Sequence, residues 1–156
     1  MRFESLELKV PPLALTASAA AVMVGVEYAS EGTSIVAPSL AWVAGGAVAL
    51  SGLAIAYLGV SVFRQIRTTV DPLHPERSAR LVTAGVYRWT RNPMYLGFVL
   101  CLLGLAIALQ SPVGFALTAF TAVFLHRFQI KPEEQALRRC FGSAFDAYCG
   151  RVRRWL

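Results

Sequence analysis

Three stretches of this chain contain no Asp, Glu, Lys or Arg: residues 10–26, 32–63 and 92–125. A helix crossing the hydrocarbon core of a bilayer needs about 20 mostly apolar residues, with a range of roughly 17–25. The first stretch holds one crossing, and the second holds one with overhang. The third is too long for one crossing and just long enough for two short ones. Gln110-Ser111-Pro112 near its middle supplies the turn. The composition agrees, at 56% hydrophobic and 15% charged, against roughly 25% charged for a soluble domain. The spacing therefore predicts an all-α integral membrane protein, one domain over residues 1–156, with four transmembrane helices. These fall at about 10–27, 39–62, 93–110 and 112–128, and a cytoplasmic C-terminal amphipathic helix follows.

The net charge of +6 by itself would suit a nucleic-acid partner, but the placement of the charges excludes that reading. Arg2 and Lys9 precede the first span. Arg64, Arg67, Arg77, Arg80, Arg88 and Arg91 lie between the second and third. Arg127, Lys131, Arg138, Arg139, Arg151, Arg153 and Arg154 fall at or beyond the end of the fourth. The other two connections carry no Lys or Arg. The positive-inside rule then puts both termini and the loop 64–92 in the cytoplasm. The first apolar stretch follows Glu4 and Glu7 as well as basic residues, so it reads as a mature span and not a signal peptide. Residues 1–9 read as membrane-lying or disordered. Gly52 and Gly59 are a heptad apart and predict one packing seam.

Polar chemistry is confined to the loop 64–92 and the tail 129–156, which together are predicted to form the site. In the tail, Pro132 suits the first position of a helix, and Glu133 and Glu134 its first turn, where the macrodipole favours anions. Leu137, Phe141, Phe145, Tyr148 and Val152 recur at helical spacing and define one apolar face. Gly142 is expected to bend or divide this helix. Taken alone, the tail reads as an amphipathic helix on an anionic membrane lipid surface. Paired carboxylates at the membrane exit do not fit that reading, because anionic lipid repels them. In the loop, Asp71-Pro72 and His74-Pro75 hold the chain extended, residues 81–83 suit a short extended piece, and Gly85 suits a turn. Tyr87, Trp89 and Tyr95 bring rings to the interface, as an aromatic belt or as the wall of a pocket for a flat ring system.

Cys101, Cys140 and Cys149 form no Cys-x-x-Cys, and His74 and His126 stand far apart, so no metal site is expected. No two glycines are two residues apart, which excludes a soluble-type Gly-x-Gly nucleotide motif.

The segment LVTAGVYRWTRNPMYLG, followed after a helical hairpin by PEEQALRRCFGSAFDAYCGRV, resembles a superfamily of membrane methyltransferases. Its members include the isoprenylcysteine carboxyl methyltransferases and the phosphatidylethanolamine N-methyltransferases, and they use S-adenosylmethionine. The similarity covers residues 63–152. It implies that Leu81, Val82 and Tyr87 line an adenosine pocket and that Asn92, Pro93, Met94, Tyr95 and Gly97 belong to the cofactor segment. It also implies that Glu133 meets the cofactor's ammonium, with Glu134 beside it. Asn92 stands where the carboxyl methyltransferases carry a histidine, and Gln129 where they carry a substrate-facing arginine. The phospholipid enzymes carry their own Asn-Pro-Met-Tyr.

The chemistry of the cofactor suits these residues. Carboxylates can hold its ammonium, Arg91 or Arg88 its carboxylate, and aromatic faces its sulfonium. The expectation is a methyltransferase acting on a lipophilic, membrane-borne acceptor (carboxylate, amine or thiol) in a bacterial inner membrane. Arg91 and Gln129 would face the substrate, and Glu134 would be the base for an amine. The alternatives are a nicotinamide-dependent membrane reductase, a non-catalytic membrane subunit and a small transporter. A transporter usually holds an ionisable residue inside the bilayer, and here Glu27 sits only at a span end.

Overall fold

The computed structural model describes residues 8–29, 36–66 and 81–156. The readings made for residues 1–7, and for Arg67, Asp71-Pro72, His74-Pro75, Arg77 and Arg80, lie outside the described residues. Every secondary-structure element among the described residues is helical, with no strand. Helix α1 is Pro12–Ala29 and α2 is Pro38–Ile66. A short 3-10 turn, Gly85–Arg88, precedes α3, Pro93–Leu109. Helix α4, Pro112–Leu125, runs through one π-helical turn, His126–Ile130, into α5, Lys131–Phe141. Helix α6 is Ser143–Arg151.

Three helices are long and apolar enough to cross a membrane: α1, α2 over Pro38–Arg64, and the continuous Pro112–Phe141. Helix α3 is equally apolar and shorter. The side chains that face outward are Leu40, Val43, Leu50 and Leu53 on α2 and Phe120 and Val123 on α4. Such a surface is stable only against hydrocarbon, and the chain is an integral membrane protein. The apolar part of the longest helix ends at Leu125, so the polar α5 extends beyond it.

Helices α2 and α3 pack antiparallel on glycine. Gly45 lies against the backbone oxygen of Gly104, and the reverse contact is made as well. A Cβ added at Gly52 would stand 2.6 Å from the Gly97 oxygen, and one at Gly59 would stand 3.0 Å from the Pro93 Cγ. The heptad seam expected at Gly52 and Gly59 thus extends to Gly45 and faces α3 along its whole length. Without side chains between them, the two backbones approach closely enough for broad van der Waals contact, which drives helix association in lipid. On the other side of α3, Leu102 packs with Ala19 and Met23 of α1.

The turns follow local chemistry. Gln110 caps α3 in the left-handed conformation, and its side-chain amide both donates to and accepts from the backbone of Val36, at 3.1 and 2.8 Å. Ser111 caps α4, with its Oγ accepting from the Gly114 amide, and Pro112 occupies the first helical position. Gly142 (φ +51°) divides α5 from α6 as expected.

One local prediction needs correction. Pro132 does not begin a helix, because the chain is already helical from Pro112. Proline offers no N–H to the carbonyl four residues earlier, which is that of Phe128. The π turn accommodates this: the Lys131 amide bonds five residues back to the His126 oxygen. The Phe128 oxygen accepts the Leu8 amide at 3.0 Å instead. Glu133 and Glu134 are therefore interior to a continuous helix, and no free helix dipole supports their charge.

Candidate functional site

At the polar end of the bundle, the extended residues 81–84, the 3-10 turn, the start of α3, and α5 and α6 enclose a cavity. It encloses about 660 Å³ of space, the open solvent at its mouth included, and it is concave and mostly apolar, as small-molecule sites usually are. One wall is apolar and aromatic. Phe63 at the end of α2 meets Tyr87 edge-on at 5.5 Å, and the Tyr148 hydroxyl donates to the Tyr87 oxygen at 2.7 Å. Leu81, Leu137, Phe145 and Tyr148 pack together behind them. Burial, with the nearby Tyr148 and Glu133, pushes the Tyr87 phenol well up, so it stays neutral. The apolar face predicted for the tail is thus packed inward on this wall.

The opposite side carries two carboxylates with different surroundings. Glu133 lines the cavity, and the Tyr95 hydroxyl donates to it. Burial pushes its pKa up to about 8; the Tyr95 hydrogen bond opposes the rise and the Glu134 charge adds to it. No cation among the described residues pairs with it. Glu134 is buried between two arginines. Arg154 grips it as a fork, Nε to Oε1 at 3.0 Å and Nη2 to Oε2 at 2.5 Å. Arg91 adds Nη2 to Oε1 at 2.9 Å and Nε to Oε1 at 3.2 Å. Burial alone would push this carboxyl up. The Arg154 hydrogen bond and the charges of Arg91 and Arg154 outweigh that and hold it below the ordinary range.

The chain's last residues close the structure. Arg91 Nη1 also donates to the carbonyls of Cys149 and Val152, at 3.1 and 2.8 Å. The Arg91 amide bonds to the Arg153 oxygen, and the Asn92 side-chain amide to the Arg154 oxygen at 2.9 Å. Asn92 therefore holds the tail and makes no side-chain cap for α3.

Ten of the residues singled out in the sequence line this one cavity: Leu81, Val82, Tyr87, Arg91, Asn92, Pro93, Met94, Tyr95, Glu133 and Glu134. Two do not. Gly97 is in the α2–α3 seam, where a Cβ would stand 2.5 Å from the Gly52 oxygen. Gln129 is fully buried in the π turn, and its Nε2 donates to the Val10 oxygen at 2.7 Å. The sequence reading missed Phe63 as a wall residue and Arg154 as the partner of Glu134. Nothing in the run of basic residues near the C-terminus distinguishes Arg154 from its neighbours. Among the described residues no cluster of His, Cys, Asp and Glu is arranged to hold a metal ion.

A helical membrane bundle with a cavity at its polar end, walled by aromatic side chains and carrying two carboxylates, defines a class of membrane protein with a candidate ligand site. The chain belongs to the phospholipid methyltransferase family, whose family model matches residues 40–144. It is similar to a probable protein-S-isoprenylcysteine O-methyltransferase of Oryza sativa subsp. indica, 37% identical over 87 residues, 54% of this chain and 44% of the relative. The protein-S-isoprenylcysteine O-methyltransferases of Mus musculus and Saccharomyces cerevisiae are 35% and 32% identical over 72 residues. Those matches cover 46% of this chain and 25% and 30% of the relatives. Each match thus spans less than half the relative's length. No solved structure matches the chain.

Proposed function

We propose that the protein transfers a methyl group from S-adenosylmethionine to a lipophilic acceptor at the cytoplasmic membrane face. In this reading α3 is a fourth span, and both termini and the loop 64–92 are cytoplasmic. The observation that carries it is Glu133: an acid with no cation partner among the described residues, in a cavity walled by aromatic rings. The cofactor brings an ammonium and a sulfonium, and it supplies the electrophilic methyl when bound.

This chain's residues divide the work of holding it. Glu133 binds the ammonium, and Tyr95 orients that carboxylate. Leu81, Val82, Phe63, Tyr87 and Tyr148 flank the adenine and keep water away from the cavity. Arg91 is the only Lys or Arg among the described lining residues. Four of its N–H donors are bonded to Glu134 and to two carbonyls, so it offers the ligand's carboxylate at most one. Glu134 acts as a positioning residue here and not as the base first suggested by its place beside Glu133. Both its oxygens are engaged by guanidinium groups. A base needs an available lone pair within hydrogen-bond reach of the proton it takes.

The apolar side formed by Met94 and Phe63 would receive the acceptor. The printed names of the relatives favour an isoprenylcysteine carboxylate. The family description favours a phospholipid, and a thiol also fits the cavity's apolar side. Acceleration comes from alignment of acceptor and methyl in a dry cavity.

The test is the melting temperature of the detergent-purified chain with S-adenosylhomocysteine, beside a nicotinamide dinucleotide. A ligand at 100 times its Kd stabilises by about 2.7 kcal/mol if it binds only the folded state. We expect a shift with S-adenosylhomocysteine alone. An equal shift with the dinucleotide, or none with either, would overturn the reading.

A further inference from the structure

A second cleft, about 550 Å³ of open space, adjoins the cavity. It is lined by Thr83, Arg88, Tyr148, Arg151 and Val152. Arg88 ends the 3-10 turn and Arg151 ends α6. The hydrogen bond from the Tyr148 hydroxyl to the Tyr87 backbone oxygen ties these two elements together, so the two exposed arginines line one opening from separate elements. Among the described residues no acid lines this cleft.

The described carboxylates near this end are committed elsewhere. Glu134 is bound by Arg91 and Arg154, and Asp146 pairs with Arg138 at 2.7 Å. Neither Arg88 nor Arg151 forms an ion pair with a described residue. Arg151 Nε donates to the Ala147 oxygen of its own helix. The carbonyls of Cys149 and Val152 at the end of α6, which would repel an anion, are bonded to Arg91 instead.

We propose that this cleft binds a phosphate group. Two like charges lining one opening are relieved by an anion between them. Guanidinium forks on separate elements suit a tetrahedral anion with several acceptor oxygens, and the Thr83 hydroxyl adds a neutral donor. A carboxylate satisfies one fork more readily than two. The source we expect is a membrane lipid headgroup. Trp89 follows Arg88 directly and is 77% exposed, and the apolar α3 starts at Pro93. An exposed indole at the start of an apolar helix marks interface depth, where lipid phosphates lie. Tyr148 lines both the cleft and the cavity. A lipid phosphate here therefore anchors the polar cap against the membrane beside the methyl-transfer site. The inference does not depend on methyl transfer, and its readout is binding.

The experiment titrates the full detergent-purified chain with dihexanoylphosphatidylglycerol, with dihexanoylglycerol and with inorganic phosphate, and follows melting temperature. Stabilisation by the phospholipid but not by the neutral lipid is expected. The Arg88→Gln/Arg151→Gln pair should weaken apparent affinity by about tenfold or more, as loss of charged hydrogen bonds requires. The Arg139→Gln/Arg153→Gln pair removes the same charge from exposed arginines off the cleft and should change affinity by less than about twofold. Equal stabilisation by inorganic phosphate, lost in the same cleft pair, supports the site and assigns it to free phosphate. No stabilisation, or an equal loss in both pairs, overturns the proposal.

Discussion

The α2–α3 seam and the polar cap over the start of α3 are held together by opposite means. The seam has almost no side chains: Gly45, Gly52 and Gly59 bring one backbone onto another, and dispersion over a long contact does the rest. The cap is mostly side-chain polarity: one carboxylate, two guanidiniums, one amide and four backbone carbonyls tie three separate parts of the chain together. The seam tolerates no added atom. The cap tolerates no missing partner. That difference sets which substitutions harm which region, and by how much.

The largest effect is expected at Glu134. Glu134→Gln leaves Arg91 and Arg154 facing each other with the carboxylate between them gone. Removing one partner of a buried ionic cluster costs roughly 3–5 kcal/mol; partial exposure of Arg154 places this case near the low end. Denaturation of the detergent-solubilised variant should show it, and S-adenosylhomocysteine binding should fall with it. A variant as stable as the parent would show that the cap is ornamental and that the seam alone holds the fold.

Next in size is the seam. Gly97→Ala puts a Cβ 2.5 Å from the Gly52 oxygen and 2.7 Å from the Ala56 Cβ. Overpacking costs about 1–3 kcal/mol, and the obstacle here is backbone, which yields least. Stability should fall while the Kd for S-adenosylhomocysteine, measured on the fraction that remains folded, stays within about twofold of the parent. A large change in Kd with stability intact would return Gly97 to the cofactor site that its motif suggested.

The two regions also differed in how legible they were. Glycines seven residues apart in an apolar stretch can only be on one helix face, so the seam was readable from spacing. The apolar helices, the turn at Gln110-Ser111-Pro112 and the break at Gly142 were equally local. The cap joins Arg91 to Glu134 and Arg154 across 43 and 63 positions, and no periodicity encodes such a contact. The apolar face of the tail was visible as a face, but its partner was not: it packs on Leu81 and the cavity wall. The helix start assigned to Pro132 failed because the π turn absorbs a proline that ordinarily begins or kinks a helix.

Glu133 sharpens the comparison within the cap, because it is the carboxylate that no arginine among the described residues pairs with. Its pKa of about 8 lies above the ordinary 4.5. The stability tied to it is therefore fully present below the ordinary value and is lost as pH rises through about 8. The ligand-free protein should melt lower at about pH 9 than at about pH 6, and Glu133→Gln should flatten that slope. Binding of a cationic amino acid moiety should run the other way, tightening over the same rise, and Glu133→Gln should weaken it by about tenfold. If the variant bound S-adenosylhomocysteine as the parent does, Glu133 would be a structural acid and the ammonium would be held elsewhere.

The smallest effect is expected at Gln129, which belongs to neither region. Its Nε2 holds the Val10 oxygen, and its Oε1 is buried without a partner among the described residues. Gln129→Leu gives up one hydrogen bond and leaves the Val10 carbonyl unpaired. It also removes an unpaired oxygen whose burial is itself unfavourable. The two contributions are each about 1 kcal/mol and opposed, so net stability should move by less than about 1 kcal/mol. Because the residue lies outside the cavity, Kd for S-adenosylhomocysteine and the KM for any methyl acceptor should be unchanged. A rise in acceptor KM without loss of stability would show that the π turn rearranges to bring Gln129 to the substrate. The acceptor would then be recognised by an amide where the isoprenylcysteine enzymes place an arginine.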